Sequence, residues 1–96
     1  MTDNDKLTML KIDLGITSTA YDRRLMQYLK SARAEIEREG VKLSADDPGT
    51  DPPTTETIDD ANLQINYAAW QWRRRDTGEG MPRMIRWQIN NRLFGG

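Results

Sequence analysis

The sequence predicts an all-α protein: a small bundle of about four helices with a long Pro/Asp-rich loop between the second and third. Apolar residues recur every three or four positions in four stretches, which is the period of an amphipathic helix. Glycine and proline separate these stretches, as they do at helix ends. Since 96 residues suffice for one modest core, we treat 1–96 as a single domain.

The first helix is predicted over about residues 5–14. Leu7, Leu10 and Leu14 share one face of it. Gly15 suits a helix C-cap, and Ile16 is the apolar residue that commonly folds back after such a cap.

The second helix, about residues 20–39, has the clearest period. Thr19 and Asp22 have the spacing of a capping box at its start, and Gly40 supplies its end. Arg, Lys and Glu fill the opposite face of this helix, and its apolar face is formed by Tyr21, Leu25, Leu29, Ala32 and Ile36.

Residues 41–57 form the predicted loop, since Pro48, Gly49, Pro52 and Pro53 do not fit a helix interior. At its start, 41–43 either pairs as a short strand or packs inward. The third helix follows over about 58–76, with acids in its first turn where the helix dipole favours them. It has two apolar faces, which predicts burial on two sides: Ile58, Ala61, Ile65, Ala68 and Trp72 on one, Leu63, Tyr67 and Trp70 on the other. We expect helices two and three to form the core pair.

The fourth helix, about 82–94, begins with Pro82 at a position that proline favours. Its apolar residues also occupy two sides. Packing on the other helices accounts for one stripe, Ile85, Ile89 and Leu93. It does not easily account for Met84, Trp87 and Phe94, so contact with a partner and packing within the chain stay equally open.

Composition excludes several classes of chemistry. The chain has no cysteine and no histidine, which removes disulfides, thiolate nucleophiles, imidazole bases and the commonest metal ligands. The loop sequence DDPGTD lacks the ligand pattern of a calcium-binding EF-hand. We therefore expect no catalytic residue, no metal and no cofactor, and we interpret the protein as a non-enzyme.

Charge is unevenly distributed although the net charge is only −1. Residues 44–60 carry six acids and no base, whereas residues 71–96 carry six arginines against two acids. Such polarity suits head-to-tail contact between copies or docking on an acidic partner. The polar, acidic start is unlike a signal peptide, and no stretch approaches the roughly 18 apolar residues of a membrane span. We expect synthesis in a cytoplasm and no membrane contact.

The stretch WQWRRRD permits a nucleic-acid interpretation, because arginine contacts phosphates and tryptophan stacks on bases. However, Trp70 and Trp72 continue the apolar sides of the helix, and Arg73, Arg74 and Arg75 lie where positive charge complements its dipole. This basic cluster is therefore a candidate for contact between subunits or for a position near DNA. A small DNA-binding or packaging accessory protein that uses it is the alternative function.

Three segments in this order carry a resemblance: LKIDLGITSTAYDRRLMQYLKSARAEIEREG, NYAAWQWRRRD and MPRMIRWQINNRLF. The chain resembles the head–tail connector family of tailed bacteriophages, the small DNA-packaging or head-completion adaptor proteins of long-tailed phages. The resemblance runs from about Leu7 to Phe94. It implies a helical virion structural protein, made in the bacterial cytoplasm and placed at the head–tail interface.

The resemblance also implies partners and site residues. Members of the head–tail connector family form a ring, commonly dodecameric, under the portal protein. This ring extends the DNA channel and holds the stopper or tail-completion protein. DNA passes through without sequence-specific binding. In that arrangement, segment 82–96 docks on the portal or on sister subunits, through Arg83, Met84, Ile85, Arg86, Trp87, Ile89, Arg92, Leu93 and Phe94. We expect this segment to be loosely packed without its partner. The acidic loop, with Asp46, Asp47 and Asp51, is a candidate for the lumen.

Overall fold

The computed structural model describes residues 2–46, 49, 51–77 and 80–94. Over these residues the chain has four α-helices and no β-strand, so the predicted all-α bundle is confirmed. The helices are α1 (Asp3–Leu14), α2 (Asp22–Arg38), α3 (Ile58–Thr77) and α4 (Arg83–Phe94). Within these ranges, none of the helices is both long and apolar enough to cross a membrane.

The ends of α1 follow from local sequence. Thr2 caps its start: the Thr2 hydroxyl accepts a hydrogen bond from Asp5 N–H, and the Asp5 carboxylate accepts one from Thr2 N–H. This capping box places the start at Asp3, two residues before the predicted one. At the other end Gly15 adopts a left-handed backbone with φ of 70°, and Ile16 N–H donates to Lys11 O, as predicted for a glycine C-cap.

The capping box predicted for α2 is wrong. The helix begins at Asp22, the residue before it is Tyr21, and no side chain caps the first turn. Instead Asp22 N–H donates to Thr19 O in a backbone turn, and the Asp22 carboxylate lies 2.8 Å from Lys11 Nζ. The Asp22 side chain, which the capping box would need, therefore forms an ion pair between α1 and α2 instead.

The third helix lies at the centre of the fold and packs against each of the other three, most extensively against α2. Burial on two sides is confirmed, since its side chains are buried nearly all round from Ala61 to Trp72. The exception is Ile58 in the first turn of α3, predicted on a buried face but 71% exposed. Val41 and Leu43 pack inward rather than forming a strand, at 4% and 6% exposure.

Polar contacts fasten both ends of the long loop to the helices. Arg33 Nη2 on α2 donates to Ser44 O (2.9 Å) and Leu43 O (3.3 Å). Ser44 N–H and its hydroxyl both donate to Asp60 Oδ2, at 2.8 and 2.5 Å. The Thr57 hydroxyl accepts from Asp60 N–H and so caps α3. The start of the long loop is therefore held to α2 and α3, and its end is held to the first turn of α3.

Candidate interaction surface

The fourth helix presents two apolar faces, as its sequence suggests. Ile85 and Ile89 are buried in the core at 5% and 0% exposure, and Leu93 packs partly against the same core. Met84, Trp87 and Phe94 point the other way and are 69%, 64% and 83% exposed. At about 100° per residue, each set spans about 80° of the helix and the two lie on opposite sides. We call Met84, Trp87 and Phe94 the outer stripe.

This arrangement divides the nine predicted docking residues. Ile85, Ile89 and Leu93 pack on the core of their own domain. The expectation of loose packing is therefore wrong for α4, the part of segment 82–96 that ends at Phe94. The reason is that Ile85 and Ile89 belong to the same buried apolar cluster as Ile65 and the other core residues of α3. Two of the arginines are also held within the chain: Arg86 Nη1 lies 3.3 Å from Glu39 Oε2, and Arg92 forms an ion pair with Asp60.

The residues that remain available are Arg83 and the outer stripe. Arg83 is exposed and has no ion-pair partner in the part of the chain that the structure describes. Large apolar side chains clustered on a surface, with a cation beside them, are typical of protein–protein contact sites. The structure therefore reduces the candidate docking surface from nine residues to four.

A groove runs between α3 and α4 beside the outer stripe, and the sequence reasoning missed it. Its volume is about 560 Å³, and it is lined by Asp59, Asn62, Asn66, Trp87, Gln88, Asn91 and Arg92. A second hollow of about 330 Å³ adjoins it toward Met84 and Arg73, and Asn66 lines both. The four amide side chains make no hydrogen bond within the described residues, and the buried Gln88 Oε1 has no partner there. The spacing of Asn62 and Asn66 could have indicated one polar face.

The basic cluster at the end of α3 is organised by the buried tryptophans. The Arg75 guanidinium lies 3.7 Å from the ring centroid of Trp72, and that of Arg74 lies 4.7 Å from Trp70. Both indoles are only 8% exposed, and Trp70 Nε1 donates to Gly80 O. Their faces are therefore occupied by arginine and are not available to stack on bases. Arg73 Nη2 contacts Asp13 O at 3.4 Å.

The three acids predicted to face a lumen have different surroundings. Asp46 Oδ1 accepts a hydrogen bond of 2.8 Å from Glu56 N–H, so it helps to fix the loop. Asp51 is exposed. Asp47 lies outside the described residues.

A buried charged network joins α1, α2, α3 and the loop, and sequence reasoning missed it too. Lys6 Nζ contacts Glu56 Oε2 at 2.7 Å and Gln64 Oε1 at 2.8 Å, and all three residues are at most 7% exposed. Arg33 Nη1 approaches the same Glu56 oxygen at 3.3 Å, while Gln64 Nε2 donates to Leu29 O. The network has its polar atoms satisfied, so we assign it to folding rather than to ligand binding. The spacing of Lys6 with Leu10 and Leu14 is the signal that could have found it.

Asp60 links the loop to the C-terminal helix. Burial alone would raise the pKa of its carboxyl, but hydrogen bonds from the Ser44 hydroxyl and N–H, together with Arg92, hold that pKa below the ordinary value of 3.8. The carboxylate is therefore charged in the folded protein at neutral pH. Within the described residues, no group of three or more acidic side chains is arranged to hold a metal ion.

Comparison with models of known protein families gave no match. Searches against curated proteins and against solved structures gave none either.

Proposed function

We propose that this protein is a head–tail connector subunit of a tailed bacteriophage, a structural adaptor and not an enzyme. The observation that carries the proposal is the outer stripe on α4. An isolated domain gains nothing from placing methionine, tryptophan and phenylalanine in water on one helix face, whereas a partner that covers them gains a large apolar area. The sequence resemblance supports the portal protein as that partner.

In the proposed assembly, copies of the chain form a ring, commonly dodecameric in this family, beneath the portal. The inner face of α4 secures the helix to its own domain, and its outer stripe contacts the portal or the neighbouring copy. Trp87 and Phe94 act as anchors, because buried aromatic residues contribute most of the binding energy at protein contacts. Arg83 pairs with an acidic group of the partner and fixes register more than affinity.

The ring also has a role in the DNA channel. The ring continues the DNA path and holds the stopper or tail-completion protein on its far side. Asp51, if it faces this lumen, repels the DNA backbone so that DNA passes without sticking. The charges of exposed acids cost little to hold together, since salt screens them beyond about 8 Å.

The test is attachment of the purified protein to portal-containing phage heads. The triple variant Met84→Ser, Trp87→Ser, Phe94→Ser should keep its helical circular dichroism, because these side chains support no core contact. It should lose co-sedimentation with the heads. Wild-type attachment by this variant would contradict the proposal.

A matched control is available on the same molecule. Ile12 and Ile58 are each 71% exposed and lie on other helices. The double variant Ile12→Ser, Ile58→Ser removes a similar kind of exposed apolar surface and should attach normally. Particles made without the protein provide a second measurement: filled heads without tails support the connector function, whereas empty heads support a packaging function.

A further inference from the structure

We propose that a hollow between α2 and α3 binds a phosphate group, either as the free ion or as part of a nucleotide. The hollow has a volume of about 480 Å³. Seven side chains line it: Tyr28, Ser31 and Glu35 of α2, and Tyr67, Gln71, Arg74 and Arg75 of α3. Six of these carry N–H or O–H donors, whereas Glu35 only accepts. This site does not depend on the connector function.

The positive charge of the hollow comes from two arginines that are held by stacking. The Arg74 guanidinium lies 4.7 Å from the Trp70 ring centroid, and that of Arg75 lies 3.7 Å from Trp72. Stacking uses the flat face of a guanidinium and leaves the N–H groups in its plane to contact an anion. Because both groups are held before a ligand arrives, binding costs less conformational entropy.

The one acid among the described lining residues is compensated. Glu35 Oε1 lies 2.9 Å from Arg38 Nη1, so the charges of this pair cancel and those of Arg74 and Arg75 remain. Water can satisfy exposed donors, but it does not neutralise two cations. A cleft with charge of one sign concentrates ions of the opposite sign. The expected occupant is therefore an anion.

Two of the donors are almost completely buried, since Tyr67 is 5% and Gln71 is 8% exposed. The Tyr67 hydroxyl is not sealed from solvent and makes no hydrogen bond within the described residues. Burial, together with the Glu35 and Glu39 carboxylates, raises the pKa of Tyr67 above its ordinary value of 10.0, so the hydroxyl keeps its proton and donates. Gln71 Oε1 is sealed, which leaves the Nε2 amide as the part of that side chain that can reach a ligand.

The number of donors favours a phosphate group over a carboxylate. A carboxylate has two oxygens with about four lone-pair positions. The guanidinium of Arg74, the amide of Gln71 and the hydroxyls of Tyr28, Ser31 and Tyr67 supply about six donors. A phosphate group matches them better, because it has three strongly accepting oxygens and a charge of about −2 at neutral pH.

The space continues toward the start of α2. A second hollow of about 220 Å³ shares Tyr28 and Ser31 with the first and adds Arg24 and Gln27. A nucleotide whose phosphate contacts Arg74 therefore has further polar contacts for its sugar and base.

The experiment is a calorimetric titration of the full-length protein at neutral pH, in a buffer without phosphate, with inorganic phosphate and with thymidine monophosphate. We expect saturable binding. Tyr67→Phe removes only the hydroxyl and should weaken binding about tenfold, because a hydrogen bond to a charged group is lost. Arg74→Gln combined with Arg75→Gln should weaken it at least about a hundredfold.

Arg23→Gln combined with Arg83→Gln is the matched control. It removes the same two charges from exposed arginines outside the hollow and should bind like the wild type. Near-ultraviolet circular dichroism checks that the tryptophans remain packed in every variant.

The two ligands distinguish the sources of the phosphate group. Tighter binding of thymidine monophosphate identifies a nucleotide, and equal or weaker binding identifies the free ion; either result supports the site. The proposal is overturned by the absence of saturable binding, by acetate that binds as tightly as phosphate, by unchanged binding in Tyr67→Phe, or by an equal loss in the matched control.

Discussion

Lys6 Nζ lies 2.7 Å from Glu56 Oε2, and the two side chains are only 6% and 3% exposed. Fifty positions separate these residues, so the pair fixes the end of the long loop onto the first helix. Removing either charge of a buried ion pair is destabilising, because the remaining charge is then unpaired in a protein interior that solvates it poorly.

Glu56→Ala should destabilise the fold by about 3–5 kcal/mol, measured by urea unfolding, because it leaves the Lys6 ammonium buried without its carboxylate. Glu37→Ala is the control: Glu37 also pairs with Arg33, but its side chain is 49% exposed. Its loss should cost at most about 1 kcal/mol. In addition, Lys6→Met combined with Glu56→Ala should cost less than the sum of the single changes. Equal costs for Glu56→Ala and Glu37→Ala would refute this account.

Stability should fall in acid partly because of Asp60. Its pKa is lowered in the folded state, so the stabilisation is present above the unfolded pKa, about 3.9, and is lost as pH falls through the folded value. Asp60→Asn should be less stable at pH 7 and should lose less stability than the wild type between pH 5 and about pH 2. Thermal unfolding across this range measures both effects.

Asp59→Asn is the control for this prediction. Asp59 lies in the same first turn of α3 but is exposed. Its acid profile should follow that of the wild type. If the two variants behave alike, the Ser44 and Arg92 contacts do not stabilise the Asp60 carboxylate.

The two faces of α4 should respond differently to truncation. Ile89→Ala creates a cavity at a position with 0% exposure and should cost about 2–4 kcal/mol in urea unfolding. Trp87→Ala removes a larger side chain from water and should change stability by no more than about 0.5 kcal/mol.

Deleting residues 83–96 should therefore impair cooperative unfolding. A truncated chain that unfolds as cooperatively as the full protein would show that α4 is separable.

The basic cluster allows a test of the DNA-binding alternative. Because the faces of Trp70 and Trp72 are covered by Arg74 and Arg75, duplex DNA should bind only weakly and without sequence preference in low salt. Replacing Arg73, Arg74 and Arg75 with glutamine should reduce the log–log salt slope by at most about 2.7, that is about 0.9 per phosphate contact. Submicromolar, sequence-selective binding would favour the accessory-protein function over the connector.

The helices could be predicted because their signals are local. The period of Leu25, Leu29 and Ile36 needs no knowledge of the fold, and neither does the glycine after each of the first two helices. The start of α2 was predicted wrongly because the Asp22 carboxylate forms an ion pair with Lys11 of α1, which is distant in sequence. A capping pattern in the sequence shows that a local hydrogen bond is possible. It does not show whether the same side chain instead contacts a residue of another helix.

The sites were harder to predict for the same reason. The outer stripe is visible as surplus apolar residues on one short helix, so Met84 and Trp87 were identified. The groove amides lie on two helices whose register is set only in three dimensions. Likewise, Glu56 stands in a loop with no periodic pattern, and nothing in its neighbourhood distinguishes a buried glutamate from a solvated one.

The three tryptophans make the molecule its own optical reporter. Trp70 and Trp72 are shielded and held against arginine, while Trp87 is 64% exposed. The emission spectrum should therefore contain a blue and a red component, and acrylamide should quench the red one first. A partner that covers the outer stripe of α4 would abolish this quenchable fraction. The rate of partner binding can therefore be measured by stopped-flow tryptophan fluorescence without a label.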